Sequence, residues 1–151
     1  MASNITLRPA RSGELEAINH IYESIAFEPS TPADHILVAE SNGHFAGQGR
    51  LVHFDPHTVE MGGIYVDPRF RGAGVARALV STLLEKAQGS TIYCLPFVHL
   101  TDFYCSFGFV KLDDLRGAPE AIQSKLRRCG TTQKNDVDVL IIRAPAGETE
   151  K

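Results

Sequence analysis

The 151-residue sequence has no apolar run near eighteen residues and no leader-like N-terminus, which argues against membrane insertion and secretion. It has no surplus of basic residues. Fifteen lysines and arginines against eighteen aspartates and glutamates give a net charge of −3, with a pI near 6.0. A general nucleic-acid binder needs a basic face that releases counterions, so that class is set aside. Lys125, Arg127 and Arg128 do gather, but they fall in the expected last turn of a helix, where the macrodipole favours cations. Cysteine is scarce. Cys94, Cys105 and Cys129 are odd in number and widely spaced, which suits reduced thiols rather than a disulfide framework or a metal site. One histidine pair, His53 and His57, is four apart, and Asp55-Pro56 puts a turn between them, so no metal is expected. These absences predict a cytoplasmic protein with neither nucleic acid nor membrane as partner.

What is present is ordinary for a globular protein: 43% hydrophobic and 22% charged residues, enough for one core. The sequence reads as a single domain over residues 1–143, with a polar tail over 144–151. The informative stretch is residues 62–88, GGIYVDPRFRGAGVARALVSTLLEKAQ. Ile64, Tyr65 and Val66 favour an extended backbone, and Asp67-Pro68 stops the strand. Arg69, Arg71, Gly72, Ala73 and Gly74 fill a short loop. Val75, Ala76, Leu79, Val80, Leu83, Leu84 and Ala87 then step by three or four, the stripe of a half-buried helix. The free amides of that helix's first turn face a loop without bulky side chains and with two arginines beside it, an anion site suited to a pyrophosphate.

Three phosphate motifs compete for this loop. A dinucleotide fingerprint needs a third glycine where Arg77 stands, and an acidic residue about twenty positions on. A Walker-type loop needs Gly-Lys-Ser/Thr, which the sequence lacks. What remains, Val66-x-Pro68 followed by Arg69-x-x-Gly72-x-Gly74, resembles the acetyl-CoA motif of the GNAT superfamily of N-acetyltransferases. A second stretch, Phe103-Tyr104-x-x-Phe107-Gly108-Phe109, is similar to that family's aromatic signature. The order of elements agrees along nearly the whole chain. A strand over residues 5–8 precedes a helix capped by Ser12 with Leu15, Ile18, Ile21, Tyr22 and Ile25 buried. An antiparallel meander over 35–40, 45–54 and 58–66 leads to the glycine loop and its helix. A strand over 91–95, a helix over 99–107, a strand over 109–112, a helix from Pro119 to Gly130 and a strand over 136–143 follow. The resemblance implies a mixed α/β sheet of about seven strands, splayed at its centre and flanked by about four helices.

It also implies the chemistry. Acetyl-CoA is the cosubstrate, with its pyrophosphate on the loop of Arg69, Arg71, Gly72, Ala73, Gly74, Val75 and Ala76. The backbone N–H groups of Ile64, Tyr65 and Val66 polarise the thioester carbonyl. Tyr104 matches the family's phenol near the coenzyme sulfur, a general acid. Glu60 falls where the histone-acetylating branch carries its catalytic glutamate, and Glu40 and His53 are weaker substitutes as base. Cys105, beside Tyr104, has no placed histidine to activate it, so direct transfer in a ternary complex is preferred to a covalent intermediate. Many members carry asparagine where Phe97 stands here. The run Cys94-Leu95-Pro96-Phe97 and the helix opening at Ala118-Pro119-Glu120 look like the branch around N-acetylglutamate synthase, which favours a small-molecule amine or an amino acid as acceptor. A protein acetyltransferase acting on lysine or N-terminal amines, and a non-catalytic acetyl-CoA-binding module, stay open. The sequence is compatible with a homodimer and does not decide it.

Overall fold

The computed structural model describes residues 4–132 and 137–145. Seven strands and four helices alternate along the chain: β1 (Ile5–Pro9), α1 (Leu15–Ser24), β2 (His35–Ser41), β3 (His44–Asp55), β4 (Thr58–Val66), α2 (Val75–Lys86), β5 (Thr91–Cys94), α3 (Thr101–Cys105), β6 (Val110–Lys111), α4 (Glu120–Thr132) and β7 (Leu140–Ile142). The strands form one mixed sheet in the order β1-β2-β3-β4-β5-β7-β6. The mixed α/β class read from the sequence holds. By contacts the chain divides into two compact units, Met1–His53 with Met61–Ala87, and Phe54–Glu60 with Gln88–Lys151.

In the first unit β2 pairs antiparallel with β1 and with β3. Successive residues of β3 face opposite sides. Gln48 and Arg50 share one face; Gly47 and Gly49 share the other, where α2 packs closely. A Cβ on Gly47 would sit 2.5 Å from the Tyr65 carbonyl, and one on Gly49 would sit 2.7 Å from Ile64 Cδ1. The α1 stripe buries Ile18 and Tyr22 against Ile36 and Val38 of β2, with Leu15, Ile25, Phe27 and Phe45 around them. Ser12 is not the cap. The helix starts at Leu15, Glu14 occupies the cap position, and no side chain caps the first turn. Ser12 lies two residues before the cap position, too early to reach those amides.

The Glu14 carboxylate is used differently. Arg8 grips it with both terminal nitrogens, at 2.9 and 2.8 Å, and Arg11 N–H donates to it at 2.6 Å. These bonds, Arg8 first, hold the carboxyl down at about 2. A carboxylate whose folded pKa is lowered contributes stability above its unfolded value and loses it as pH falls toward the folded one. Melting temperature should therefore drop between about pH 4.5 and about pH 2. Arg8→Gln should flatten that limb in melts at constant ionic strength, and an unchanged limb would place the acid sensitivity elsewhere.

In the second unit the first part of β4 pairs in parallel with β5, Thr58 with Thr91, Val59 with Ile92 and Glu60 with Tyr93. A strand-helix-strand connection requires that direction. The ladder stops at Glu60 although β4 runs to Val66, the place expected for the splay. β7 pairs antiparallel with β5 and β6. Tyr93, Ala118, Ile122, Val139 and Ile141 form the core of this unit, with Phe54, Leu112, Leu115 and Leu126 against it.

Several boundaries differ from those read in the sequence. The expected helix over 99–107 is a 3-10 turn, Val98–Leu100, followed by the shorter α3. β6 is two residues, Val110–Lys111. α4 passes through Gly130 to Thr132, because glycine permits a helix end without enforcing one. The last strand is Leu140–Ile142, preceded by a single bridge from Val137 to Phe97; Asp136 lies outside the described residues.

Candidate active site

The turn from β4 to α2 is built by Asp67-Pro68. The Asp67 carboxylate accepts the Arg69 N–H at 2.9 Å and Arg69 Nε at 3.0 Å, which winds Pro68–Phe70 into a 3-10 turn. Gly72 and Gly74 then take φ of +82° and +88°, left-handed values that glycine adopts without strain. A Cβ at either would meet nothing within 4 Å. These glycines therefore serve the backbone path and leave the space beside it open. Gly74 precedes α2, and no side chain caps the helix, so its first-turn amides keep their capacity for a ligand. Val75 is 2% exposed; its side chain is core and only its N–H can serve a site. An opening lined by backbone amides and free of side chains fits a pyrophosphate.

The two arginines diverge. Arg69 is turned onto Asp67 and lies 5.3 Å from the Phe70 ring centroid, whereas Arg71 is exposed and in no ion pair with a described residue. Ile64, Tyr65 and Val66 are half-buried at the end of β4, with Tyr65 stacked on Phe45 at 6.4 Å. Just before them Gly63 has φ of +62° inside the strand. Tyr22 donates its hydroxyl to the Gly63 carbonyl at 2.7 Å, which pins this kink. Tyr22 is buried as its place in the α1 stripe requires, but its bond to Gly63 has no sequence signal; Gly63 itself is not among the residues read as candidates, although a Gly-Gly pair inside a run of strand formers is a bulge signal.

Glu60, Cys94, Tyr104 and Lys125 lie in the second unit. Glu60 is 6% exposed, and Lys125 Nζ donates to its Oε2 at 2.6 Å. Its Oε1 bonds no described residue. This corrects the reading of Lys125 as a last-turn dipole cation. α4 extends to Thr132 with no basic residue in its last turn, and Lys125 is the buried carboxylate's partner. Arg127 pairs with Glu120 at 2.7 Å; the Arg128 side chain lies outside the described residues. Of the substitute bases, Glu40 is bonded by Arg8 at 3.1 Å and His53 is exposed.

Tyr104 is 6% exposed on α3. Its ring is held edge-on by Phe103 at 5.0 Å and by Phe109 at 6.4 Å, which gives the aromatic run a mechanical purpose. Its hydroxyl bonds no described residue. Burial, and then the neighbouring Cys94, push its pKa well above the usual phenol value, so the phenol stays protonated. Cys94 is core, at 2% exposure. Burial and then the Glu60 charge push its thiol upward, with Lys125 opposing. Glu60, Lys125, Cys94 and Tyr104 thus form one electrostatically linked group. Among the described residues no cluster of three or more His, Cys, Asp or Glu side chains could hold a metal, and no helix is long and apolar enough to cross a membrane.

A glycine turn that opens a helix after β4, a parallel ladder that stops at Glu60 and a phenol on α3 define an acyl-coenzyme-handling class. A model of the acetyltransferase (GNAT) family matches residues 5–109, and the chain belongs to that family. Over 69 residues it is 36% identical to the N-alpha-acetyltransferase RimI of Mycobacterium tuberculosis, a match covering 44% of each chain, less than half of that relative. The fold matches that of about a third of N-acetylglutamate synthase from Neisseria gonorrhoeae, solved with coenzyme A and N-acetyl-glutamate: TM-score 0.73 at 18% identity, over 96% of this chain and 36% of that one. It is also that of the ribosomal-protein-S18-alanine N-acetyltransferase from Escherichia coli, with TM-score 0.66 at 20% identity, over 95% of this chain and 97% of that one.

Proposed function

We propose that this chain moves an acetyl group from acetyl-CoA to the primary amine of a small molecule or amino acid, by direct transfer in a ternary complex. The observation that carries the reading is the pair of left-handed glycines before the uncapped N-terminus of α2. The coenzyme supplies an activated acyl group as a thioester. The amides of Gly72, Gly74, Val75 and Ala76 hold its pyrophosphate, with Arg71 as counter-charge, while Arg69 shapes the turn through Asp67; the Ala73 N–H, expected to join them, donates instead to the Phe70 carbonyl at 3.3 Å. The backbone N–H groups of Ile64 to Val66 stabilise the carbonyl oxygen as charge develops. Tyr104 gives a proton to the departing thiolate, and Glu60 takes the amine proton through Oε1. Residues 1–143 act as one catalytic domain with 144–151 as its tail, and the free thiols of Cys94 and Cys105 suit a reducing cytoplasm.

The likeness to RimI favours a second reading, in which the acceptor is the N-terminal amine of a protein. The two differ in their demand for a base. A lysine-like amine with pKa near 10.4 is about 0.1% neutral at pH 7.4, a cost of roughly 4 kcal/mol, whereas a peptide α-amine near 7.8 loses only about 0.7 kcal/mol. Thiol release should be followed with acetyl-CoA across free amines, amino acids and peptides, and as a function of pH for wild type and Glu60→Gln. Glu60→Gln should lower kcat/KM about 100-fold at neutral pH, with a deficit that shrinks as rising pH deprotonates the amine. An unchanged profile would remove Glu60 as base. Failure of every amine to release thiol, together with no melting shift from acetyl-CoA, would remove the function.

A further inference from the structure

Arg50, on β3 in the first unit, is 6% exposed and pairs with no described carboxylate. Its Nη1 donates to Ser30 Oγ at 2.7 Å, and its guanidinium carbon lies 4.2 Å from the Tyr22 ring centroid. Nε and Nη2 bond no described residue. Asp34, a carboxylate close enough to influence Tyr22, accepts from Thr31 N–H at 3.2 Å. A buried cation without a counter-charge is costly unless an anion joins it. The position is also held rigidly. Ser30 is 5% exposed, and its N–H donates to Asn19 Oδ1 at 2.7 Å. Tyr22, fully buried, is anchored on the Gly63 carbonyl. Fastening the loop to β3 through Ser30 would need one donor, whereas the planar fork of arginine suits bidentate binding of a carboxylate.

The fork reaches the kink of β4. A Cβ on Gly63 would stand 2.9 Å from Arg50 Nε, and the backbone assigned above to the thioester carbonyl begins at the next residue. We infer that Arg50 recognises a carboxylate on the acceptor, through Nε and Nη2, and that the acceptor class is therefore the free amino acid. This rests on the acetyl-transfer reading and narrows it. A peptide N-terminus has no carboxylate beside its amine and gains nothing from this arginine.

The test compares free amino acids with their α-amides as acceptors, read by thiol release from acetyl-CoA. Wild type should prefer the acid over the amide by about 100-fold in kcat/KM, the range for removing one partner of a buried charged hydrogen-bonded pair. Arg50→Gln should erase that preference and Arg50→Lys should restore part of it, with the acetyl-CoA-induced melting shift retained in both as the measure of folding. Equal rates for acid and amide in wild type, or a preference that survives in Arg50→Gln, overturn the role of Arg50 and leave acetyl transfer standing. The wild-type comparison decides the matter even if neither variant folds. Absence of thiol release with every amine and peptide overturns the transfer reading, and this inference with it.

Discussion

Tyr104→Phe is expected to lower kcat about 100-fold while coenzyme affinity and melting temperature stay close to wild type. Positioned proton donors contribute roughly 100- to 10,000-fold, and a thiolate leaving group places this one near the lower end. Stability should hold because the ring, not the hydroxyl, is the packed part: Phe103 and Phe109 contact it edge-on, and the hydroxyl bonds no described residue. Phenylalanine keeps those contacts and leaves no described partner unsatisfied. Because burial pushes the phenol pKa well upward, the phenol stays protonated at working pH. The wild-type rate should therefore show no alkaline decline from its ionisation near its usual value of about 10. Steady-state thiol release across pH, with coenzyme-induced melting shifts alongside, measures both halves of the expectation. A loss in KM alone would indicate binding, and a kcat within about threefold of wild type would make Tyr104 a packing residue.

The parts of the site legible in the sequence are those written in consecutive residues. Asp67-Pro68 ends β4, Gly72 and Gly74 carry the turn, and the stripe Val75, Leu79, Val80, Leu83 is buried as its spacing requires. The parts missed are joined across long stretches of chain. Lys125 meets Glu60 over a separation of 65 residues, Tyr22 meets Gly63 over 41, and Arg50 meets Ser30 over 20. Periodicity shows that such a residue faces inward or outward, but not which partner the topology brings to it. Lys125 shows the consequence. With the helix end placed at Gly130, a lysine shortly before it looked like a dipole cation, and only the longer α4 and the packed sheet reveal its pairing with a buried carboxylate. Ser12 failed for the opposite reason: its type suits a cap, but the chain enters the helix three residues later. Gly62-Gly63 carries a bulge signal that the reading of residues 58–66 as a plain strand leaves unused, and its hydrogen bond to Tyr22 has no sequence signal at all.

Gly63→Ala should cost about 3–6 kcal/mol, the sum of three contributions that the position makes separable. An alanine in the left-handed region at φ of +62° costs about 1–2 kcal/mol. Its Cβ would stand 2.6 Å from Tyr22 Oη and 2.9 Å from Arg50 Nε, and overpacking of that kind costs about 1–3 kcal/mol. Moving Tyr22 to relieve it weakens the bond to the Gly63 carbonyl, about 1 kcal/mol more. For a chain of this length the sum corresponds to a fall in melting temperature of roughly 10 °C or more. Gly72→Ala is the control, since it carries similar backbone strain at φ of +82° and meets nothing within 4 Å; it should cost only about 1–2 kcal/mol. The functional ranking should be the reverse. Gly72→Ala places a methyl group in the opening assigned to the pyrophosphate and should weaken coenzyme binding more than Gly63→Ala does. Gly63→Ala should act on kcat, through the backbone of Ile64 to Val66, and on acid-over-amide selectivity, through Arg50. Thermal melts with coenzyme titrations on both variants measure the two rankings. Equal destabilisation at the two glycines would mean that the kink in β4 relaxes without Tyr22 and Arg50 holding it.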